Sequence, residues 1–486
     1  MPVVLKDRFI ILVACVVYVI SAIFNTGFYY FDEHYQLIEF AELKSGNNTP
    51  ADLAWEYEAK VRPAIQPLIA HLFFSTLRFI NISDPYILMI GLRFLTALFA
   101  LVIVTYFIKK TEYLIINHLR VWYKILAYFL WFLPFVNVRF SSESYSGLTF
   151  LLALALLYSG SVYRWFFIGC LLGLSFLFRF QTAFMSLGFL LWLFFIYKID
   201  FKNLLKIITG GLSVIVVGVV IDYWFYETAT ITFVNYFNLN IIEDVASSYG
   251  ISPWYYYFIK SSEAAITPFG VFIWICVLSQ FVFDRKSLLC WIVTPFLLIH
   301  FITPHKELRF LFPLVNLLPL LIMMTIQSFN KIEFLNKQKM IIGNLAIIFL
   351  IVNVLVLAIN MFSPADDQGR INITREIHNH YKNKKVTLWA FSHDNPYKPI
   401  SPSQNFYRDT NVNCQPFILD SILKSPTTDI NLLVIRNDRI ESSKSLLNQI
   451  KLKEIAFGTY KWIRDIKTHA GYKDKSLRLF EITKVR

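Results

Sequence analysis

The chain is built from apolar runs of bilayer length separated by short polar segments. Counted along the sequence they predict about eleven spans: roughly Phe9 to Phe31, Pro85 to Ile108, Val121 to Val138, Glu143 to Gly160, Tyr163 to Arg179, Gln181 to Tyr197, Leu204 to Asp222, Trp254 to Phe283, Leu288 to Ile302, Leu308 to Ile326 and Ile341 to Phe362. The first run is too long for a signal-peptide core and lacks a small-residue cleavage pattern, so it reads as a retained anchor. Segment Arg62 to Ile80 is apolar on one side but carries Arg62, Gln66, His71 and Arg78. It is expected to lie along the interface, since counting it as a span would invert everything after it.

From Ser363 onward the pattern changes. Short β-rich runs occur at Lys385 to Phe391, Ile430 to Ile435 and Leu477 to Ile482, with a helical stretch at Ser442 to Ile450. The expected fold class is therefore an α-helical polytopic membrane protein. Residues 1–362 form its transmembrane domain, with an external loop at 32–84, and residues 363–486 form a small extracytoplasmic α/β domain.

Composition agrees: 56% of residues are hydrophobic and 16% charged, outside the range of soluble chains of this size. The formal charge of +13 raises nucleic acid as a partner, but the basic residues follow membrane topology instead. Lys6/Arg8, Lys109/Lys110/Arg120/Lys124, Arg164, Lys198/Lys202/Lys206, Arg285/Lys286 and Lys331/Lys337/Lys339 all fall on one side, which the positive-inside rule assigns to the cytoplasm. No nucleic-acid partner is expected. Four of the five cysteines lie in apolar runs without a CxxC, so neither a metal site nor a disulfide framework is supported.

Candidate chemistry crowds the opposite face. Asp32 and Glu33 close the first apolar run, where a carboxylate pair is costly near lipid. If the run continues as a helix, Asp32, Gln36 and Glu39 share one side at i, i+4, i+7 spacing. Thr303 to Phe310 sits between two spans and holds His305, Lys306 and Arg309, an anion clamp in which His305 and Arg309 stack at i, i+4 if helical. The bland alternative is interfacial snorkelling, with Glu307 pairing Lys306. Arg179 ends a span on the same side. Arg139 and Glu143 flank a turn and could simply pair with each other. Tyr249 and Trp254 lie in an aromatic loop, and Trp55 and Glu56 in the external loop, where aromatic and carboxylate together can hold a sugar ring. Asp366-Asp367 reads as a solvated turn, and no DxD pair stands at a span mouth.

A carboxylate, a cation cluster and aromatic loops beside lipid suit group transfer from a lipid-linked phosphate. Phe31-Asp32-Glu33-His34-Tyr35-Gln36 with Glu39, Ala54-Trp55-Glu56-Tyr57, Arg62, Phe178-Arg179-Phe180-Gln181, Tyr249-Gly250 to Tyr256, and His305-Lys306-Glu307-Leu308-Arg309-Phe310 together resemble the GT-C glycosyltransferases of the mannosyltransferase group, glycosyltransferase family 22. Phe391 to Tyr397 and Asn413 to Phe417 resemble the tail of the enzymes that add the third GPI mannose, with their Cys-His-Ser-Thr-Pro pattern broken here. The resemblance implies a GT-C fold and an inverting, metal-independent transfer of a sugar, mannose by analogy, from a polyprenyl- or dolichyl-phosphate donor to a glycan or glycolipid acceptor. No cofactor is implied. It makes Asp32, with Glu33, the catalytic pair; His305, Lys306, Arg309 and Arg179 the donor-phosphate group; and Gln36, Glu39, Trp55, Glu56, Arg62, Tyr249 and Trp254 the sugar and acceptor contacts. A transporter or flippase of lipid-linked sugars is the competing reading, but it should show repeats and polar groups in both halves. A non-catalytic scaffold gives Asp32 and His305 to Arg309 no reason to converge. Ile/Lys/Asn/Phe-rich usage and short loops favour a bacterial plasma membrane with an external site over an ER membrane with a lumenal one.

Overall fold

The computed structural model describes residues 3–161, 163–332, 337–366, 368–423 and 430–485; Asp367 and the side chains of Lys6 and Lys339 lie outside the described residues. The chain forms two compact units. One comprises Met1–Ser21, Ala59–Leu68 and Arg93–Asn360; the other gathers Ala22–Glu58, Ile69–Leu92 and Met361–Arg486. The loop after the first apolar run thus belongs with the tail.

Among the described residues six helices are long and apolar enough to cross a bilayer: Asp7–Phe24, Pro85–Leu114, Phe180–Tyr197, Phe201–Tyr226, Leu308–Phe329 and Met340–Phe362. There are seven if Thr267–Phe283 and Leu288–Ile302, bent by 120° at their junction, are one span. The runs at Glu143 to Gly160 and Tyr163 to Arg179 form the shorter helices Ser142–Leu157 and Arg164–Phe178. Arg62 to Ile80 contributes Ile65–Phe79, which is not among the crossing helices. Val121 to Val138 is not one helix: Arg120–Phe129 stops and Leu133–Asn137 resumes. Asn353 serves the break, its Nδ2 donating to the Phe129 carbonyl at 2.8 Å and its Oδ1 accepting from the Trp131 N–H at 3.1 Å. Backbone groups freed at membrane depth need such a partner. Apolar content alone carries no sign of it.

Glycines set the closest helix contact. Arg164–Phe178 packs along Phe201–Tyr226, and a Cβ on Gly169 would lie 2.0 Å from the Ile207 carbonyl oxygen, while one on Gly210 would lie 2.2 Å from that of Phe166. Backbones meet there because no side chain intervenes, the arrangement that drives helix association where lipid removes the hydrophobic incentive.

The first span ends earlier than its apolar run. Its helix stops at Phe24, and residues 25–31 are not helical. Asn25 Nδ2 donates to the carbonyls of Ser363 (2.9 Å) and Met361 (3.2 Å), and the rings of Phe24 and Phe362 are 4.9 Å apart. The C-terminal ends of the first and last long helices therefore lie on one side, so a chain in which both cross does so an odd number of times.

The second unit carries a five-stranded sheet of order β2-β1-β3-β5-β4, with β1 Val386–Ala390, β2 Val412–Pro416, β3 Ile430–Arg436, β4 Ile450–Phe457 and β5 Leu477–Val485. β1 pairs in parallel with β2 and β3, whereas β5 is antiparallel to β3 and β4. All five residues of β1 are buried, as expected of a strand covered on both faces. One face packs Trp389, Leu433, Ile435 and Phe480 with Ile422, Leu447 and Ile450. The three runs read as strands are β1, β3 and β5. Ser442 to Ile450 is helical only over Lys444–Leu447, because Ile450 already opens β4. β2 and β4 escape the sequence pattern: Val412-Asn-Cys-Gln-Pro carries little apolar signal, and in β4 Lys451, Lys453 and Glu454 interrupt the apolar positions, as suits exposed sheet edges.

A chain in which both end helices cross does so an odd number of times, so reporter fusions after Arg8 and after Ile482 are expected to read opposite sides of the membrane. The same side from both would overturn this topology.

Candidate active site

Ser141 caps the helix Ser142–Leu157, its Oγ accepting from the Ser144 N–H at 3.2 Å, and this fixes Glu143 in the first helical turn, where a carboxylate is favoured. Arg179 caps the C-terminus of Arg164–Phe178, the favoured end for a cation. Ser175 Oγ donates to the Ser146 carbonyl at 2.8 Å and ties the two helices together just below both charges. On the other side of Glu143, Gly147 lets the chain at Pro313 approach so closely that a Cβ would lie 2.8 Å from Pro313 Cα. Gly147 is four residues beyond Glu143 and Pro313 four beyond Arg309, so this contact sets the depth at which those two charges meet.

They meet in a buried ion group. Glu143 Oε1 is 2.7 Å from Arg179 Nη1 and 3.6 Å from Arg309 Nη1, with all three side chains at least nine-tenths buried. Both guanidiniums also lie over the Phe310 ring, at 4.8 Å for Arg179 and 5.5 Å for Arg309. The Arg139 guanidinium sits over the Phe135 ring at 4.6 Å. Glu143 is thus the counter-ion of two arginines far away in sequence, where sequence proximity had suggested Arg139. Helix caps and a glycine contact select that partner.

His305 and Arg309 do not stack on a helix. Glu307 is extended and the 3₁₀ helix starts only at Leu308, ending at Leu317. In extended backbone alternate residues share a side, and Glu307 bridges its neighbours: Oε1 is 3.2 Å from His305 Nε2, and Oε2 accepts from Arg309 Nε at 2.5 Å. Lys306 points the other way. Its ammonium donates to the carbonyls of Ser252, at 3.1 Å, and Thr303. Glu307 therefore serves His305 and Arg309 and not Lys306. Lys306 is 5% exposed, burial pulls its pKa below the ordinary lysine value, and among the described residues its hydrogen bonds are to carbonyls alone.

The aromatic loop borders the same group. His305 Nδ1 is 3.1 Å from the Gly250 carbonyl, the Ser252 N–H donates to the Pro304 carbonyl at 3.0 Å, and the Tyr249 and His305 rings are 6.1 Å apart. Tyr249 and Trp254 remain exposed. Arg62 lies in this unit too, its carbonyl accepting from Tyr226 Oη at 2.7 Å and its guanidinium 5.8 Å from the centre of the Tyr236 ring.

The remaining candidates belong to the second unit. The helix expected to carry Asp32, Gln36 and Glu39 on one side is broken into Asp32–Tyr35 and Ile38–Lys44, so the i, i+4, i+7 alignment is lost. Glu39 is buried and bound by His34 Nε2 (2.7 Å), Asn48 Nδ2 (2.7 Å) and the Phe406 N–H (3.2 Å). Gln36 Nε2 donates to Glu56 Oε1 at 2.7 Å, both buried, and Trp55 is exposed. Asp32 and Glu33 are partly exposed, with Glu33 Oε2 accepting from the Tyr29 N–H at 3.2 Å. Asp366 accepts from the N–H groups of Gly369 at 3.0 Å and Arg370 at 3.3 Å, where the helix Arg370–Tyr381 begins. Among the described residues no group of three or more His, Cys, Asp or Glu is placed to hold a metal ion.

Residues 9–399, most of the chain, match the Alg9-like mannosyltransferase family. The chain belongs to that family. GPI mannosyltransferase 3 of Debaryomyces hansenii is 22% identical over 415 residues, covering 80% of this chain and 71% of the relative. The protein of the same name from Yarrowia lipolytica is 24% identical over 423 residues, 82% of this chain and 75% of its own. Among solved structures, ArnT from Cupriavidus metallidurans bound to undecaprenyl phosphate superimposes with a TM-score of 0.55 at 10% identity, over 98% of this chain and 97% of that one. That likeness shows the fold of a helical polytopic membrane protein. This member of the Alg9-like family is a membrane mannosyltransferase, and the transporter reading is not favoured.

Within the mannosyltransferase, Glu143 is the residue the sequence undervalued. Its only local signal was an acidic side chain directly after the serine pair Ser141-Ser142, and its two arginine partners are visible only in three dimensions. Removing one member of a buried ion group strands the others, at about 3–5 kcal/mol. Glu143→Gln is therefore expected to lower the melting temperature in detergent, and Gly147→Ala to do so by forcing Pro313 away. Unchanged melting for both would mean that neither contact holds the cluster together.

Proposed function

We propose that this mannosyltransferase is an inverting, metal-independent enzyme that moves mannose from a polyprenyl- or dolichyl-phosphate donor to a glycan or glycolipid acceptor on the non-cytoplasmic face. The observation that carries the reading is the buried set of Arg179, Lys306 and Arg309, three cations gathered around Glu143, Glu307 and backbone carbonyls. A buried ammonium held by carbonyls, like Lys306, is stabilised by an incoming phosphate. The names of the relatives, GPI mannosyltransferase 3, support a glycolipid acceptor, and the undecaprenyl phosphate bound to ArnT supports a polyprenyl donor.

In a single displacement the acceptor oxygen attacks the anomeric carbon, the bond from that carbon to the phosphate oxygen breaks, and the hydroxyl proton passes to a carboxylate. Lys306, Arg309, Arg179 and His305 receive the charge of the departing polyprenyl phosphate. Among the acidic candidates Glu39 and Glu56 are buried and committed to neighbours, so the base role falls to Asp32, with Glu33 beside it orienting or relaying. Gln36, Arg62, Trp55, Tyr249 and Trp254 supply sugar and acceptor contacts, the exposed rings offering stacking surfaces.

The topology that goes with this mechanism has eleven spans, the short and broken helices crossing as well. Helices enclosed by protein can be shorter than the bilayer because their ends meet protein or water-lined space. Residues 363–486 then lie outside the cytoplasm: on the outer face of a bacterial plasma membrane, as composition favours, or in the lumen of an ER membrane, the alternative that relatives from yeasts support.

The test is transfer by the purified protein in nanodiscs, with polyprenyl-phosphate mannose and glycan or glycolipid acceptors. Asp32→Asn keeps shape but cannot take the proton, and turnover is expected to fall by about 10²-fold or more with donor binding retained. Wild-type turnover in that variant would transfer the base role to Glu33. Arg309→Ala and Lys306→Met are expected to lose rate that saturating donor does not restore, since they remove charge used in the transition state. Full rescue by donor would confine them to ground-state binding, and lipid-linked sugar movement without any transfer product would reinstate the transporter.

A further inference from the structure

The helix Lys461–His469 starts where two membrane helices stop. Phe24 and Phe362, the last residues of Asp7–Phe24 and Met340–Phe362, pack ring against ring at a tilt of 54°, and the segment entering the helix packs on both: the Tyr460 ring is 6.1 Å from that of Phe24, and the Trp462 ring 6.0 Å from that of Phe362. Polar bonds fix the same place. Thr26 Oγ1 donates to Asn372 Oδ1 at 2.8 Å, and Asn372 Nδ2 donates to the Gly458 carbonyl at 2.7 Å. The first turn of the helix is therefore held at the level where the hydrocarbon-spanning segments end.

Its faces are divided accordingly. Ile463 is fully buried against the unit's own core, whereas Trp462 and Ile466, at i and i+4, are 42% and 43% exposed, with Tyr460 and Tyr472 exposed beside them. Next to this apolar stripe is an open cavity of about 420 Å³ lined by Arg464, Lys467, Lys473, Asp474 and Lys475, among others. Asp474 is engaged within the fold, by Arg464 at 3.4 Å, Asn437 Nδ2 at 2.9 Å and Ser476, so the cavity keeps an excess of positive charge. Exposed Trp, Tyr and Ile bordered by Lys and Arg, at the end of membrane helices, is the composition of an element lying in the headgroup layer.

We propose that Lys461–His469 and the loop to Ser476 form a membrane-surface anchor: the stripe of Trp462 and Ile466 enters the headgroup layer, and the basic cavity takes the phosphate of an anionic phospholipid. The occupant is the bilayer because the surface is continuous with two span ends, and the charge selects acidic headgroups. The anchor fastens the sheet-bearing unit to the membrane surface.

The test uses the full chain in nanodiscs of phosphatidylcholine with or without phosphatidylglycerol, carrying the photo-crosslinker p-benzoylphenylalanine at Ile466 or, on the other face of the helix, at Thr468. Lipid adducts at 466 are expected to exceed those at 468 several-fold and to rise further with phosphatidylglycerol. Lys473→Glu with Lys475→Glu, both on the exposed loop, should abolish that rise. The comparison of 466 with 468 stands even if the charge variant fails to fold. Equal lipid labelling at the two positions, adducts joining two copies of the chain in place of lipid, or a yield indifferent to phosphatidylglycerol would overturn the proposal.

Discussion

The membrane unit is organised around the carboxylate of Glu143. Two arginines with side chains 6% and 7% exposed share it, and removing that charge would take from both of them a buried counter-ion inside an apolar helix bundle. The arrangement is possible only because three unrelated segments arrive at one depth. A serine cap starts one helix, an arginine cap ends its neighbour, and a glycine admits the backbone at Pro313. The cluster is thus a product of helix termini, where dipoles favour these charges, more than of the spans between them.

Around that centre the sequence His305-Lys306-Glu307-Leu308-Arg309 divides its work by backbone geometry. The extended part sends His305 and Glu307 one way and Lys306 the other, and the following 3₁₀ turn brings Arg309 back to Glu307. Two of the cations are therefore held by carboxylates while Lys306 rests on carbonyls, an arrangement that differs in kind from a row of interchangeable positive charges. A phosphate would find both fixed, planar donors and a compact ammonium.

The second unit solves a different problem, fixing short loop helices next to a sheet. Buried carboxylates do this by collecting donors: Glu39 takes His34, Asn48 and the Phe406 N–H, tying residues of the loop to the tail, and Glu56 takes Gln36. Asn25 and the Phe24–Phe362 ring contact join the ends of the first and last long helices. The same span ends set where the amphipathic helix Lys461–His469 begins.

What the sequence determined alone was whatever rests on local composition: membrane embedding, the positions of the apolar helices, the strands β1, β3 and β5, and the clustering of candidate charges near Asp32 and at His305 to Arg309. These follow from transfer free energy and from periodicity, which are properties of contiguous residues. The tertiary structure alone decided the breaks and the partners. Arg120–Phe129 stops where Asn353, more than two hundred residues on, can bond the freed carbonyl. Glu143 belongs to Arg179 and Arg309, and the edge strands β2 and β4 exist because central strands offer them hydrogen bonds. Apolar content cannot encode such choices, because a buried polar group is satisfied by whatever the fold brings within about 3 Å of it, and that distance is set by packing between segments remote in sequence.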